Sequence, residues 1–176
     1  MRTKGLIQVY TGDGKGKTTA AVGLAVRARA RGLKVCFISF HKDTDKRGPG
    51  EQAALEELGI DIFSFAKKHP RFHKEINPGE VRRECLEGLE FIMKIFREKK
   101  YDVLILDEIN ISLCDEFVKE EEVLETLDSK PENMELILTG RSATKKIIEK
   151  ADLVSEIKNV KHPYALGTEG RKGIEY

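Results

Sequence analysis

LIQVYTGDGKGKTTAA (residues 6–21) decides how this chain folds. An apolar run of strand length, LIQVY (6–10), meets a glycine-rich turn. An alanine-rich helical pattern from Thr19 to Arg31 follows at once, with Gly32 as its stop. Strand, loop and helix in that order form the setting in which a glycine-rich loop holds phosphate. Glycines at 12, 14 and 16 let successive backbone N–H groups turn toward one concavity, where the helix N-terminus adds positive potential. Lys17 brings a mobile point charge, and the Thr18 hydroxyl is placed to ligate Mg2+. Gly12, Asp13, Gly14, Lys15, Gly16, Lys17, Thr18 and Thr19 are therefore the candidate triphosphate cradle. The general pattern G-x-x-x-x-G-K-[ST] asks for glycine at position 11, where this chain has Thr11. A turn that only joins strand to helix is the plainer reading, and the density of glycine, lysine and threonine at this junction argues against it.

Further apolar runs of strand length follow at VCFISF (35–40), IDIFSF (60–65), VLILD (103–107), LILTG (136–140) and LVSEI (153–157). Strands alternating with helices predict an α/β fold with a mostly parallel sheet covered by helices on both faces. Asn77, Pro78 and Glu80 announce one such helix, with a cap residue, a proline at the first position and an acid in the first turn. Val81, Cys85, Leu89, Ile92 and Phe96 continue it at helical spacing to near Lys99. HKDTDKRGPGE (41–51) and AKKHPRFHKEINPG (66–79) read as loops beyond strand ends, where open parallel sheets bind ligands. The glycine-containing end of the chain, with Gly167, Gly170 and Gly173, reads as a surface tail closing in a short strand.

VLILDE (103–108) supports the phosphate reading, because an apolar strand ending in carboxylates places an acid beside the metal of a P-loop. Side chains alternate along a strand, so Asp107 and Glu108 are expected to divide the work. One faces the metal and the other makes structural hydrogen bonds or reaches substrate. A strand that simply ends in solvated acids is the competing view.

The length, 176 residues, suits a single domain, 1–176. Lys plus Arg total 31 against 30 for Asp plus Glu, too even a balance for the basic field that nucleic-acid binding needs. A small-molecule partner fits better. No apolar run is long enough to span a bilayer and no signal segment opens the chain, so a cytoplasmic protein is expected. Cys36, Cys85 and Cys114 lie apart from one another and are expected as buried or half-buried thiols.

GLIQVYTGDGKGKTTAA, LDEIN, ILTGR (137–141), ADLVSEI (151–157) and VKHPYALGTEGRKGIEY (160–176) together resemble the P-loop cob(I)alamin, or corrinoid, adenosyltransferases, and in order over nearly the whole chain. The threonine at position 11 is the form that family uses. The resemblance implies a RecA-like fold, a homodimer and MgATP as adenosyl donor, with a reductase supplying electrons to a cobalamin or cobinamide-type corrinoid. It further implies displacement at the ribose 5′ carbon by reduced cobalt, with the whole triphosphate leaving. Such chemistry asks for positioning, a clamp on leaving charge and a dry face for the corrin ring, rather than a protein nucleophile. By matching motif, Gly12 to Thr19 hold the triphosphate, with Lys17 and Glu108 as the catalytic pair. Thr18 and Glu108, with Asp107 beside them, hold the metal, and Asp13 and Arg27 lie near the nucleoside.

The chain also departs from the family. Some members carry a Phe and a Trp after the third strand that displace the lower cobalt ligand; this chain has no Trp, and Phe72 and His73 occupy that region. Ile111 stands where relatives often have Tyr, and the N-terminal extension of some members is missing. His41, His69, His73 and His162 read first as surface residues, with His69 or His73 as candidates to touch the corrinoid. Arg141 either reaches phosphate or pairs with an acid. Two rival functions remain: another P-loop kinase or ATPase, and a non-catalytic carrier that holds a corrinoid in a nucleotide-dependent way. Thymidine kinases with a similar core usually carry paired zinc cysteines, which this chain lacks.

Overall fold

Burial on both faces is what makes the central strands almost wholly apolar. In the computed structural model, which describes residues 4–42, 50–163, 167–168 and 170–174, β2 (Val35–Phe40) and β4 (Val103–Asp107) are buried at every position. They join β1 (Ile7–Thr11), β3 (Asp61–Phe65), β5 (Glu135–Thr139) and β6 (Leu153–Glu156) in a six-stranded sheet of order β3-β2-β4-β5-β1-β6. Every pairing is parallel, as the alternation of strand and helix patterns predicts.

Alternation along the strands sorts the core into two layers. Phe37, Ile105 and Ile137 face helix α1 (Lys17–Ala30) and meet its Ala21, Ala25 and Ala28. Alanine lets that helix lie close to the sheet. On the opposite face Ile38, Phe40, Leu104, Leu106 and Leu138 pack with Val81, Cys85, Leu89, Ile92 and Phe96 of α3 (Pro78–Glu98). These five helix residues are the ones the spacing predicts. The Asn77 side chain accepts from Gly79 N at 2.8 Å and caps α3 as expected, and Lys99 closes it in the left-handed conformation. A Cβ on Gly88 would come within 2.7 Å of the Phe40 ring, so this glycine lets α3 approach the sheet.

Boundaries moved where the chain obeys the loop rather than local propensity. Helix α1 begins at Lys17, two residues before the alanine pattern suggests, because Gly16 turns straight into it. The loop expected over 41–51 ends in α2 (Glu51–Glu57), while 43–49 lie outside the described residues. Among the described residues three further short helices follow: α4 (Ile109–Cys114), α5 (Glu120–Asp128) and α6 (Lys145–Lys150). The tail forms a turn over 172–174, and the short strand expected to close it falls in part on 175–176, outside the described residues. Cys36 and Cys85 are buried free thiols, pushed by burial to about 12 and about 11; Cys114 is exposed, a correction to the expectation that all three are covered. Among the described residues no helix is long and apolar enough to cross a membrane.

Candidate functional site

The strands turn sharply as they leave the carboxyl edge of the sheet. The residue after each of β1 to β5 has positive φ: Gly12 at 96°, His41 at 57°, Ala66 at 47°, Glu108 at 64° and Gly140 at 129°. For the three with side chains this conformation costs roughly 1–2 kcal/mol each. Strain of this kind collects where a chain must aim functional groups, and here it lines one edge.

At that edge β5 lies between β1 and β4, with Tyr10 opposite Thr139 and Leu106 opposite Leu138. The ends of the three strands therefore come out level. Thr139 Oγ1 donates to Asp107 Oδ1 at 2.7 Å and accepts from Glu108 N at 2.9 Å. Thr18 Oγ1, from the first turn of α1, donates to the same Asp107 Oδ1 at 2.9 Å. The expectation that the paired acids divide their work holds in conformation: Asp107 is fully buried and tied to the loop hydroxyl, and Glu108 turns away in the left-handed region. Burial first, and then Asp107, hold the Glu108 carboxyl above its usual range, against the attraction of Lys42, Lys17 and Arg141.

The cradle itself is braced from the far edge of the sheet. Gly14 N donates to Ile157 O at 2.8 Å, and Asn159 N donates to Asp13 Oδ1 at 2.9 Å. A Cβ at Gly12 would stand 2.4 Å from Ile157 O, and one at Gly14 2.7 Å from the Lys158 carbonyl. These glycines thus admit the chain leaving β6. Gly16 differs, since a Cβ there would meet open space. Lys17 is buried and donates to Gly12 O at 2.8 Å and Gly14 O at 2.6 Å. Burial is the main cause that lowers its pKa, and Arg141 adds to it. Arg141 therefore lies in the field of the loop, acting on Lys17, Asp13 and Glu108.

Two of the cradle residues sit outside that concavity. Lys15 Nζ donates to Ile174 O at 3.0 Å, drawing the tail over the loop, and Thr19 is exposed. Arg27 is not brought to the loop by its own chain. It lies ten residues beyond Lys17 on α1, about 15 Å at 1.5 Å per residue, and lines a groove of about 480 Å³ with Gln8, Asp102 and Glu135.

A second cluster occupies the same edge between β2, β3 and α4. His41 Nε2 meets Ser112 Oγ at 2.8 Å, and the Cys85 thiol donates to that oxygen at 3.7 Å. His69 Nδ1 accepts from Arg71 N at 3.0 Å, which leaves its Nε2 to donate to Asp115 Oδ2 at 2.8 Å. The two imidazoles meet edge to face at 5.0 Å, and both stack near Phe117, at 5.4 Å and 5.3 Å. Burial, with His69 beside it, pushes His41 down to about 4. The expectation that these histidines are surface groups is corrected for His69, which is buried and pins the 66–76 loop to α4. His73 pairs with Glu75 at 3.2 Å, His162 lies in the segment after β6, and Phe72 is 64% exposed on the loop. Ile111 is half-buried in α4.

Lys42 was hidden in the sequence among other loop charges. Its Nζ lies 2.6 Å from Asp107 Oδ2 and 2.9 Å from Glu51 Oε1. Its place just beyond a parallel strand's carboxyl end was the available signal. Thr139 carried less, since a threonine before glycine reads equally as a turn.

A hard divalent cation takes oxygen ligands, usually one or two carboxylates together with substrate phosphates. Asp107 and Thr18 present such oxygens side by side, so these residues fit Mg2+. Among the described residues no group of three His, Cys, Asp or Glu side chains gathers as a metal centre.

Comparison with known proteins points the same way. A family model described as ATP:corrinoid adenosyltransferase BtuR/CobO/CobP matches residues 3–176. The corrinoid adenosyltransferase of Escherichia coli (strain K12) is 34% identical over 173 residues, covering 98% of this chain and 86% of its own. That of Salmonella typhimurium is 33% identical over 174 residues, covering 98% and 86%. Among solved structures the flagellar accessory protein FlaH from Methanocaldococcus jannaschii superposes with a TM-score of 0.60 at 13% identity, covering 88% of this chain and 71% of that one. That likeness concerns the fold, a RecA-like P-loop sheet.

Proposed function

The chain belongs to the ATP:corrinoid adenosyltransferase family, and from that premise we propose that its P-loop clamps the triphosphate of ATP as a leaving group. The activity is transfer of the adenosyl group of ATP to a corrinoid. In the reaction we propose, the electron pair of cobalt(I) forms a bond to the ribose 5′ carbon. The carbon–oxygen bond to the triphosphate breaks, and its electrons leave with the phosphate chain. Cobalt passes formally from +1 to +3, so no protein nucleophile is consumed.

The supporting observation is the line Thr18–Asp107–Thr139 at the head of α1, with Lys17 beside it. Lys17 exchanges the Gly12 and Gly14 carbonyls for phosphate oxygens and, with the N–H groups at the head of α1, spreads the charge of the leaving triphosphate. Thr18 and Asp107 would hold Mg2+, with Glu108 beside them as a further carboxylate for the ion. When bound, that ion neutralises charge on the departing phosphates. Asp13 is exposed beside the loop, where its second carboxylate oxygen accepts from a ribose hydroxyl. The corrinoid, a cobalamin or cobinamide-type ring, lies over the 66–76 loop, where the exposed Phe72 offers an apolar face. Four strand spacings, about 19 Å, separate the end of β1, which feeds the P-loop, from the end of β3, enough to seat a nucleoside between loop and ring. The reading includes a homodimer, a single domain over 1–176, a cytoplasmic setting and a separate reductase that delivers cobalt(I).

Incubation with ATP, Mg2+ and chemically reduced cobalamin tests it. Adenosylcobalamin and intact triphosphate are expected in equal amounts. ADP with inorganic phosphate and an unchanged corrin spectrum would sink the proposal.

A further inference from the structure

Lys42 sits where the metal is expected. Three oxygens surround its ammonium: Asp107 Oδ2 at 2.6 Å, Glu51 Oε1 at 2.9 Å and Thr18 Oγ1 at 3.5 Å. The ammonium thus pairs with two carboxylates and lies at the edge of hydrogen-bond reach of the loop hydroxyl. Two of these oxygens belong to the residues that fit Mg2+. The Asp107 carboxylate is wholly buried, and the Lys42 side chain, 25% exposed, covers it from the solvent side. The left-handed turn at His41, φ 57°, is where the chain leaves β2 and sends Lys42 back across the sheet edge.

We propose that Lys42 is a resident counter-ion of the metal subsite, which yields Asp107 and Thr18 to magnesium triphosphate and moves onto the phosphates as a second phosphate lysine beside Lys17. The inference rests on the P-loop reading above. Mg2+ binds oxygens at about 2.0–2.1 Å, so an ion on Thr18 and Asp107 would lie within a few ångströms of Nζ. Like charges that close, at a site shielded from water, do not share one carboxylate without added anions. The triphosphate brings those anions. Lys42 reaches them on a flexible four-carbon stem, and Glu51, at the first turn of α2, gives it a pivot that the exchange leaves in place. Lys17 shows the same logic, since its ammonium is satisfied by loop carbonyls that a phosphate replaces.

Calorimetric titration separates this exchange from a static ion pair. Mg2+ alone, and tripolyphosphate with saturating Mg2+, are titrated into the wild type, Lys42→Met, Lys42→Arg and Lys17→Ala proteins. Lys42→Met is expected to bind Mg2+ alone at least tenfold more tightly than the wild type and magnesium tripolyphosphate at least tenfold more weakly. Lys42→Arg, which keeps the charge, should go on excluding Mg2+. Wild-type affinities for both probes in Lys42→Met would overturn the proposal. Should circular dichroism show that Lys42→Met is unfolded, Glu51→Gln carries the test: loosening the ammonium is expected to tighten Mg2+ binding severalfold, and an unchanged affinity refutes the exchange. Lys17→Ala keeps the two readings apart. If it retains tripolyphosphate binding the P-loop reading fails, whereas loss there with wild-type behaviour in Lys42→Met defeats only the role of Lys42.

Discussion

Two polar clusters share the carboxyl edge of the sheet, and they are built on opposite electrostatic principles. Around Asp107, charge is buried and balanced by charge: Thr18 and Thr139 donate to one oxygen and Lys42 faces the other. Around His41, burial removes charge, holding the imidazole neutral against Ser112, His69 and Phe117. The first arrangement suits a polyanion and its metal. The second gives the end of β2 and the 66–76 loop a dry footing, which a hydrophobic macrocycle needs.

The largest blow to this contrast comes from Asp107→Ala. Removing the buried carboxylate takes the acceptor from the Thr18 and Thr139 hydroxyls and leaves Lys42 paired with Glu51, at a cost of about 3 kcal/mol. Urea denaturation should show that loss, together with adenosyl transfer reduced by at least about two orders of magnitude, as the estimate for a lost charge-stabilising contact suggests. A loss below about 1 kcal/mol would mean that the cluster is solvated like a surface pair.

The neutral cluster breaks with acid. His41 titrates at about 4 in the folded chain against 6.5 when unperturbed. Between these values the unfolded chain takes up a proton that the folded chain refuses. Stability is therefore full above about pH 6.5 and falls as pH drops through about 4, by up to about 3 kcal/mol. The unfolding free energy of the wild type minus that of His41→Gln should fall by up to about 3 kcal/mol as pH drops through this range. Parallel curves would show that His41 is solvated. The titratable groups facing it, His69 and Asp115, are present in both proteins, so the difference isolates its contribution.

Smaller effects sharpen the picture. Thr139→Val leaves Glu108 N and Asp107 each short of a partner, for about 2 kcal/mol of lost stability in thermal melts. An effect near zero would place water behind Asp107. The finest comparison lies within the loop. Gly12→Ala presses a methyl on Ile157 O, and Gly16→Ala meets nothing, although both have positive φ. Gly12→Ala should therefore be less stable than Gly16→Ala by about 1–2 kcal/mol, read from chemical denaturation. Equal losses would show that the chain after β6 does not brace the loop.

Sequence reading reached the charged cluster far better than the neutral one, for a physical reason. Phosphate binding demands a contiguous loop, so TGDGKGKTT and VLILDE carry their meaning locally. Apolar runs of strand length and helical spacing likewise locate six strands and the apolar face of α3, since burial acts on neighbouring residues. The neutral cluster joins His41, His69, Cys85 and Ser112 from four separated segments. No local pattern reports such a meeting. A histidine in a charged loop looks solvated until the tertiary fold closes over it. Arg27 shows the converse limit, because a position matched by motif says nothing about the length of helix that separates it from the loop.

The central claim is that the loop at Gly12 to Thr19 grips the triphosphate through Lys17. Equilibrium binding of magnesium tripolyphosphate to the wild type and to folded Lys17→Ala tests it most directly. The account predicts an affinity lower by about a hundredfold in the variant, in keeping with loss of a charge-assisted contact in a buried site. Equal affinity in the two proteins would contradict it.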